Sequence, residues 1–132
     1  MIYVPGVAII GVETLYGANT GGFRVFEALA TLAFQYPRRA EFFRTELEQL
    51  LLLCRENKLD PLSVKGSFAG AIGIPQFMPG SQRRFAVDFD GDQRVDLSNS
   101  VDDAIGSVAR FLEQHGWAEG QPIAVPARTA TT

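Results

Sequence analysis

The chain has one cysteine, one histidine and one tryptophan among 132 residues, and its longest apolar stretch is the short run 7–12. A lone cysteine excludes an internal disulfide framework and a cysteine-based zinc site. Cys54 is therefore read as a small apolar residue on a helix. The apolar run is far below the roughly 20 residues that span a bilayer. No basic segment followed by a small-residue cleavage site precedes it, so the chain shows no membrane segment, signal peptide or lipid anchor of its own. The net charge of −3 is small and gives no reason to expect nucleic acid or an anionic membrane as partner. The single histidine, His115, has no serine or cysteine marked as its partner in a nucleophilic triad. It falls at the end of a helix, where a partly protonated imidazole is favourable, and is read as structural. Internal repeats and low-complexity tracts are also missing. The length suits one domain with a real core.

What is present is mostly helical patterning. A first helix is expected over 5–16, with Pro5 in its opening turn and Gly17 as terminator. A second is expected over 24–34, burying Val25, Phe26, Leu29, Leu32 and Ala33. Pro37 opens the longest helix, to about 58, with Phe42, Phe43, Leu47, Leu50, Leu51 and Cys54 as its buried stripe. Residues 66–80, GSFAGAIGIPQFMPG, hold four glycines and two prolines and read as a compact loop with one helical turn inside it. Such loops usually line something. Two very short strands are expected within 88–96. Ser100 is the expected N-cap of a last helix over 101–115, ended by Gly116. Residues 127–132, without an apolar anchor, are expected to be a disordered tail behind a single core at 1–126.

Glu13 stands out because the stretch around it, AIIGVETLYG, is otherwise almost wholly apolar and small. Burial among Ile9, Ile10 and Tyr16 would penalise its charged form, and so would the negative end of the helix dipole. Both effects favour a general acid that keeps its proton near neutral pH. The competing possibility is a helix-end glutamate turned to solvent or paired with an arginine.

Two further clusters carry charge at informative spacing. Arg38 and Arg39 follow Pro37 directly, so they occupy a first helical turn where the dipole disfavours cations. A ligand role for guanidinium forks, toward carboxylate or phosphate, stands there beside a plain solvated corner. Asp88, Asp90 and Asp92 match positions 1, 3 and 5 of an EF-hand calcium loop, and Arg94 at position 7 can give its carbonyl. Gln93 and Asn99 stand where that loop has glycine and a bidentate glutamate. Asp102 or Asp103 would have to close the shell, and a solvated aspartate turn is the alternative.

Taken in order, these clusters resemble the lytic murein transglycosylase B family. The matching text is IIGVET, ALATLAFQYPRRAEFF, GSFAGAIGIPQFMPGS, AVDFDGD, DAIGSVA and HGW, spread over nearly the whole chain. The resemblance implies a lysozyme-like, mostly α (α+β) fold with a small EF-hand-like calcium loop. It implies cleavage of the β-1,4 bond between N-acetylmuramic acid and N-acetylglucosamine in peptidoglycan, leaving a 1,6-anhydro sugar. Glu13 would then act as acid and afterwards as base. Ser67, Gln76, Phe77 and Met78 would line the sugar cleft, and Arg38 and Arg39 would face the stem peptides. Asp88, Asp90, Asp92 and Arg94, with Asp102 or Asp103, would hold structural Ca2+, without an organic cofactor. Counting fifteen residues from Asp88 favours Asp102, whereas the text DAIGSVA favours Asp103. A monomer in the periplasm or cell envelope is expected. Family members are longer at both ends, so a core truncated at both ends is expected, with Pro75 and Phe111 as departures. The other readings are a non-catalytic peptidoglycan-binding fragment and a calcium-stabilised structural one.

Overall fold

The computed structural model describes residues 2–129. Helix α1, Tyr3–Thr14, holds Pro5 in its first turn as expected, but it stops before Tyr16 because Leu15 and Tyr16 both turn left-handed, at φ 51° and 58°. Helix α2, Val25–Gln35, buries Val25, Leu29 and Ala33. A separate 3-10 turn, Pro37–Arg39, precedes helix α3, Ala40–Asn57. Helix α4, Pro79–Phe85, is an element that the glycine- and proline-rich composition hides. Pro79 opens it, in the position where a missing N–H costs nothing. Helix α5, Val101–Gln114, begins where expected, with the Ser100 hydroxyl accepting the Asp103 amide.

The only strands among the described residues are β1, Phe23–Arg24, and β2, Lys65–Gly66, paired antiparallel with Phe23 opposite Gly66. Bridges from Gly66 to Ile72 and from Ile72 to Phe77 carry the pairing inward. No strand forms in residues 88–96. There the aspartate side chains accept the nearby amides that a ladder would need, as in the pairs Gly91 N–H to Asp88 at 2.9 Å and Arg94 N–H to Asp92 at 2.9 Å.

Two apolar clusters make the core. One joins α2 and α3 through Val25, Leu29, Ala33, Phe43, Leu50, Leu53, Cys54 and Ile72. The other joins α1 and α5 through Ile10, Ile74, Phe77, Leu97, Ala104 and Val108. The glycine-rich segment supplies residues to both, so it is a buried seam between them and not an open loop. Its backbone groups are accordingly satisfied. Ile72 N–H bonds Phe77 O at 2.7 Å, Phe77 N–H bonds Ile72 O at 3.0 Å, and Ile74 N–H bonds Leu97 O at 2.8 Å. Gly73 is required in the seam: its φ is +75°, and a Cβ there would lie 2.5 Å from Leu97 O.

The buried stripe of α3 differs from expectation. Phe42 and Leu51 are exposed, while Leu53 and Glu46 are buried. Cys54 is buried as expected, and that burial, with the Asp60 charge behind it, pushes its thiol pKa up. Residues 127–129 are exposed, and 130–132, the rest of the expected tail, lie outside the described residues. No helix among the described residues is long and apolar enough to cross a membrane.

Candidate active site

Glu13 sits in the last turn of α1 and is exposed, which corrects the expectation of a buried carboxylate. The helical period explains the error. Gly6, Ile10 and Thr14 recur every four residues and form the buried stripe of α1. Glu13 lies about 100° round the helix from Thr14 and about 60° from Ile10, on the side that leads to exposed Val12. The residue hidden by the apolar neighbours is therefore Thr14, only 1% exposed.

Thr14 fixes this end of the helix to the seam. Its hydroxyl donates to Ile74 O at 2.8 Å, with Ile10 O at 3.3 Å, and accepts the Gly17 amide at 2.9 Å. The chain then runs past Thr20, whose carbonyl accepts from Gln76 Nε2 at 3.2 Å. Gln76 also donates to Gly73 O at 2.9 Å and itself holds a left-handed φ of 55°. Ser67 Oγ accepts the Ala71 amide at 3.0 Å and the Ala69 amide at 3.3 Å. Phe77 is buried in the α1–α5 cluster, 5.6 Å from the Phe111 ring, and Met78 packs half-buried on the other cluster. The four residues expected to line a cleft thus lie in or beside the seam, and the end of α1 is tied to the same seam.

Arg38 and Arg39 occupy the 3-10 turn and not the first turn of a long helix. Both are exposed, and the Arg39 guanidinium lies 4.3 Å above the Phe42 ring and 5.5 Å from that of Phe43. Glu41, an acid, takes the first turn of α3. Arg39 thus gains an aromatic platform that offsets the dipole penalty. No hydrogen bond or ion pair among the described residues links either arginine to Glu13. His115 stacks on Phe111 at 4.0 Å with Nδ1 2.7 Å from the Phe111 carbonyl, in keeping with a structural role.

In the acidic loop, Asp88, Asp90, Asp92 and Asp103 each offer a carboxylate oxygen within 4.8 Å of the others. Asp103 is fully buried and already accepts three amides: Phe89 at 2.8 Å and Asp90 at 3.4 Å on one oxygen, Asp96 at 2.9 Å on the other. Asp102 is exposed and lines a neighbouring hollow with Asp90, Asp92, Arg94, Asp96 and Asn99. The carboxylates feel one another. The Asp92 amide, with Asp88 and Ser100 behind it, holds Asp90 below its ordinary pKa despite some desolvation. For Asp92 the Arg94 amide pulls the same way, but desolvation and the charges of Asp90 and Asp88 together raise it. Such clustered hard oxygen donors suit calcium.

A family model described as the transglycosylase SLT domain matches residues 5–132. The chain belongs to the SLT-domain transglycosylases. Membrane-bound lytic murein transglycosylase B of Escherichia coli (strain K12) is 55% identical over 121 residues, which is 92% of this chain and 33% of that protein. Soluble lytic transglycosylase SltB1 of Pseudomonas aeruginosa superposes with a TM-score of 0.86 at 59% identity, over 89% of this chain and 39% of that one. Escherichia coli lytic transglycosylase SLT35 in complex with calcium gives 0.84 at 55%, over 89% and 37%. SltB3 of Pseudomonas aeruginosa in complex with NAG-anhNAM-pentapeptide gives 0.81 at 41%, over 89% and 31%. The lysozyme-like, mostly helical fold follows. This SLT-domain chain spans about a third of the length of the curated relative.

Two residues of this transglycosylase domain escape a reading of motifs. Thr14 was legible only as the next step of the four-residue stripe Gly6, Ile10, Thr14. Glu46 is 6% exposed and accepts the Gly80 amide of α4 at 2.8 Å. Its one signal is an acid placed on the apolar stripe of α3, between Phe43 and Leu50.

Proposed function

We propose that the protein is a peptidoglycan lytic transglycosylase, with residues 1–126 as its catalytic core. It breaks the β-1,4 bond between N-acetylmuramic acid and N-acetylglucosamine and closes the muramoyl C6 hydroxyl onto C1, leaving a 1,6-anhydro product. Glu13, as the carboxylic acid, donates a proton to the leaving oxygen and then, as the carboxylate, takes the C6 hydroxyl proton, so the acid is regenerated. The observation that supports this reading is the placement of Glu13: an exposed carboxylate on the last turn of α1, anchored from beneath through Thr14 to the seam that holds Gln76 and Phe77. An exposed carboxylate can be reached by a sugar, which then excludes water from it. With no second acid assigned across the bond, the route that needs one group in two roles is preferred over paired-carboxylate hydrolysis.

Ser67, Gln76, Phe77 and Met78 belong to the cleft, Ser67 and Gln76 by shaping its backbone. Arg38 and Arg39, exposed and free of ion pairs among the described residues, receive the carboxylates of the stem peptides. Calcium is held by Asp88, Asp90 and Asp92 with the Arg94 carbonyl. The shell is closed by Asp103, whose carboxylate lies within 4.8 Å of the other three, or by Asp102, exposed in the neighbouring hollow. The ion's contribution there is structural. Glycan strands with stem peptides are the partner, the protein works as a monomer, and the cell envelope is its place. The test is mass spectrometry of murein digested by the protein and by Glu13→Gln. Release of 1,6-anhydro muropeptides by the first alone supports the reading. Binding without release would leave the non-catalytic alternative.

A further inference from the structure

The end of α1 is unusual in its backbone. Leu15, Tyr16 and Gly17 are all left-handed, at φ 51°, 58° and 89°, although only the last is glycine. Single left-handed non-glycine residues are disfavoured, and two in succession persist only when the surroundings over-determine them. The helix itself supplies weak restraint here: Leu15 N–H reaches Gly11 O at 3.1 Å and Tyr16 N–H reaches Ile10 O at 3.3 Å. This run folds the Tyr16 ring back over α1, so that a Cβ on Gly11 would lie 2.6 Å from the Tyr16 ring.

The strongest restraint is the Thr14 hydroxyl. It is buried, and it joins three segments: it accepts from Gly17 at the far side of the left-handed run, donates to Ile74 in the seam, and hangs from the helix turn that carries Glu13. The Thr14 carbonyl adds a bond from the Asn19 amide at 2.9 Å. We infer that Thr14 is a positioning residue: its hydroxyl holds the left-handed turn closed against Ile74 and so sets the direction in which Glu13 leaves α1. Thr14 does not touch substrate. It acts through its neighbour, and the inference rests on the reading of Glu13 as acid and base.

Thr14→Val keeps the shape and removes the hydroxyl, leaving the Gly17 amide and the Ile74 carbonyl without their partner. Thr14→Ser keeps the hydroxyl and loses one methyl group. Steady-state release of anhydro muropeptides from purified murein should show kcat at least tenfold lower for the valine variant with KM within about twofold. The serine variant should recover to within about threefold of the original. Hydrogen exchange at the Gly17 amide should be slow in the original and the serine variant and at least tenfold faster in the valine variant. Unchanged kcat in the valine variant overturns the inference, as does an equal loss in both variants, which marks a packing role. If the original chain releases no anhydro product, the proposed function fails separately. The exchange measurement then decides alone: faster exchange only in the valine variant supports the hydroxyl's hold on the turn, and unchanged Gly17 exchange overturns it.

Discussion

The end of α1 and the acidic loop each gather polar groups near the surface, yet they are held in opposite ways. At the end of α1 the chain provides everything: a buried hydroxyl, a seam with paired backbone groups, and an apolar cluster under both. In the acidic loop Asp88, Asp90 and Asp92 crowd one another, and the restraints are short-range amide bonds within the loop plus the brace of Asp103. The first region is preorganised by folding alone. The second carries self-repulsion that a cation would relieve, so its order is expected to depend on the solution while that of the first does not.

This contrast can be broken in several places. The largest effect is expected at Glu13, where Glu13→Gln should lower the rate of anhydro product release by about 10²- to 10⁴-fold while leaving the melting curve unchanged. Next comes the seam. Gly73→Ala forces a side chain into a left-handed position against Leu97 O and should cost about 2 to 4 kcal/mol, read by denaturant unfolding.

The acidic loop should answer to calcium. At a hundredfold excess over Kd the gain is about 2.7 kcal/mol. Melting in calcium against chelator checks it, and magnesium should do much less. Asp90→Ala should abolish the calcium increment and leave the chelator curve in place, and Asp102→Asn should do the same only where Asp102 is the last ligand. Asp103→Asn should lower stability by about 1 to 3 kcal/mol even in chelator, because one of its two accepting oxygens becomes an NH2 donor that faces a backbone amide. If Asp102→Asn keeps the calcium increment, Asp103 is the last ligand.

The smallest effect on the fold is expected from replacing Arg38 and Arg39 together by alanine. Losing the Arg39 contact with Phe42 costs about 0.5 to 1 kcal/mol, and relief at the positive end of α3 returns a few tenths. Calorimetry should nevertheless show binding of peptide-bearing murein falling at least tenfold, with peptide-free glycan barely affected.

Much of this organisation was legible in the residues, and the failures have physical causes. The second and last helices were expected over 24–34 and 101–115 and are found at Val25–Gln35 and Val101–Gln114, because strong apolar periodicity and a serine cap mark them. The two-residue strands could not be read locally, since Phe23–Arg24 exists only by pairing with Lys65–Gly66, far along the chain. Helix α4 was masked by the composition of its approach. The seam was mistaken for an open loop for the same reason: glycine signals close backbone approach as readily as exposure, and Gly66 and Gly73 serve the first. Glu13 was singled out for its apolar neighbours, and Ile9 and Ile10, one turn back, do flank it. The buried stripe nevertheless steps by four residues through Gly6 and Ile10 to Thr14, and so away from Glu13 by the last turn. The acidic spacing pointed to a metal loop, whereas the choice between Asp102 and Asp103 depends on the folded loop, which brings Asp103 within 4.8 Å of Asp88, Asp90 and Asp92.

The central claim, that Glu13 regains its proton from the sugar's own hydroxyl and not from water, is tested most directly by digesting murein in water enriched in oxygen-18. Mass spectrometry should find 1,6-anhydro muropeptides free of the label, since no solvent oxygen enters the product. Reducing-end muropeptides carrying oxygen-18 would show hydrolysis and contradict the account.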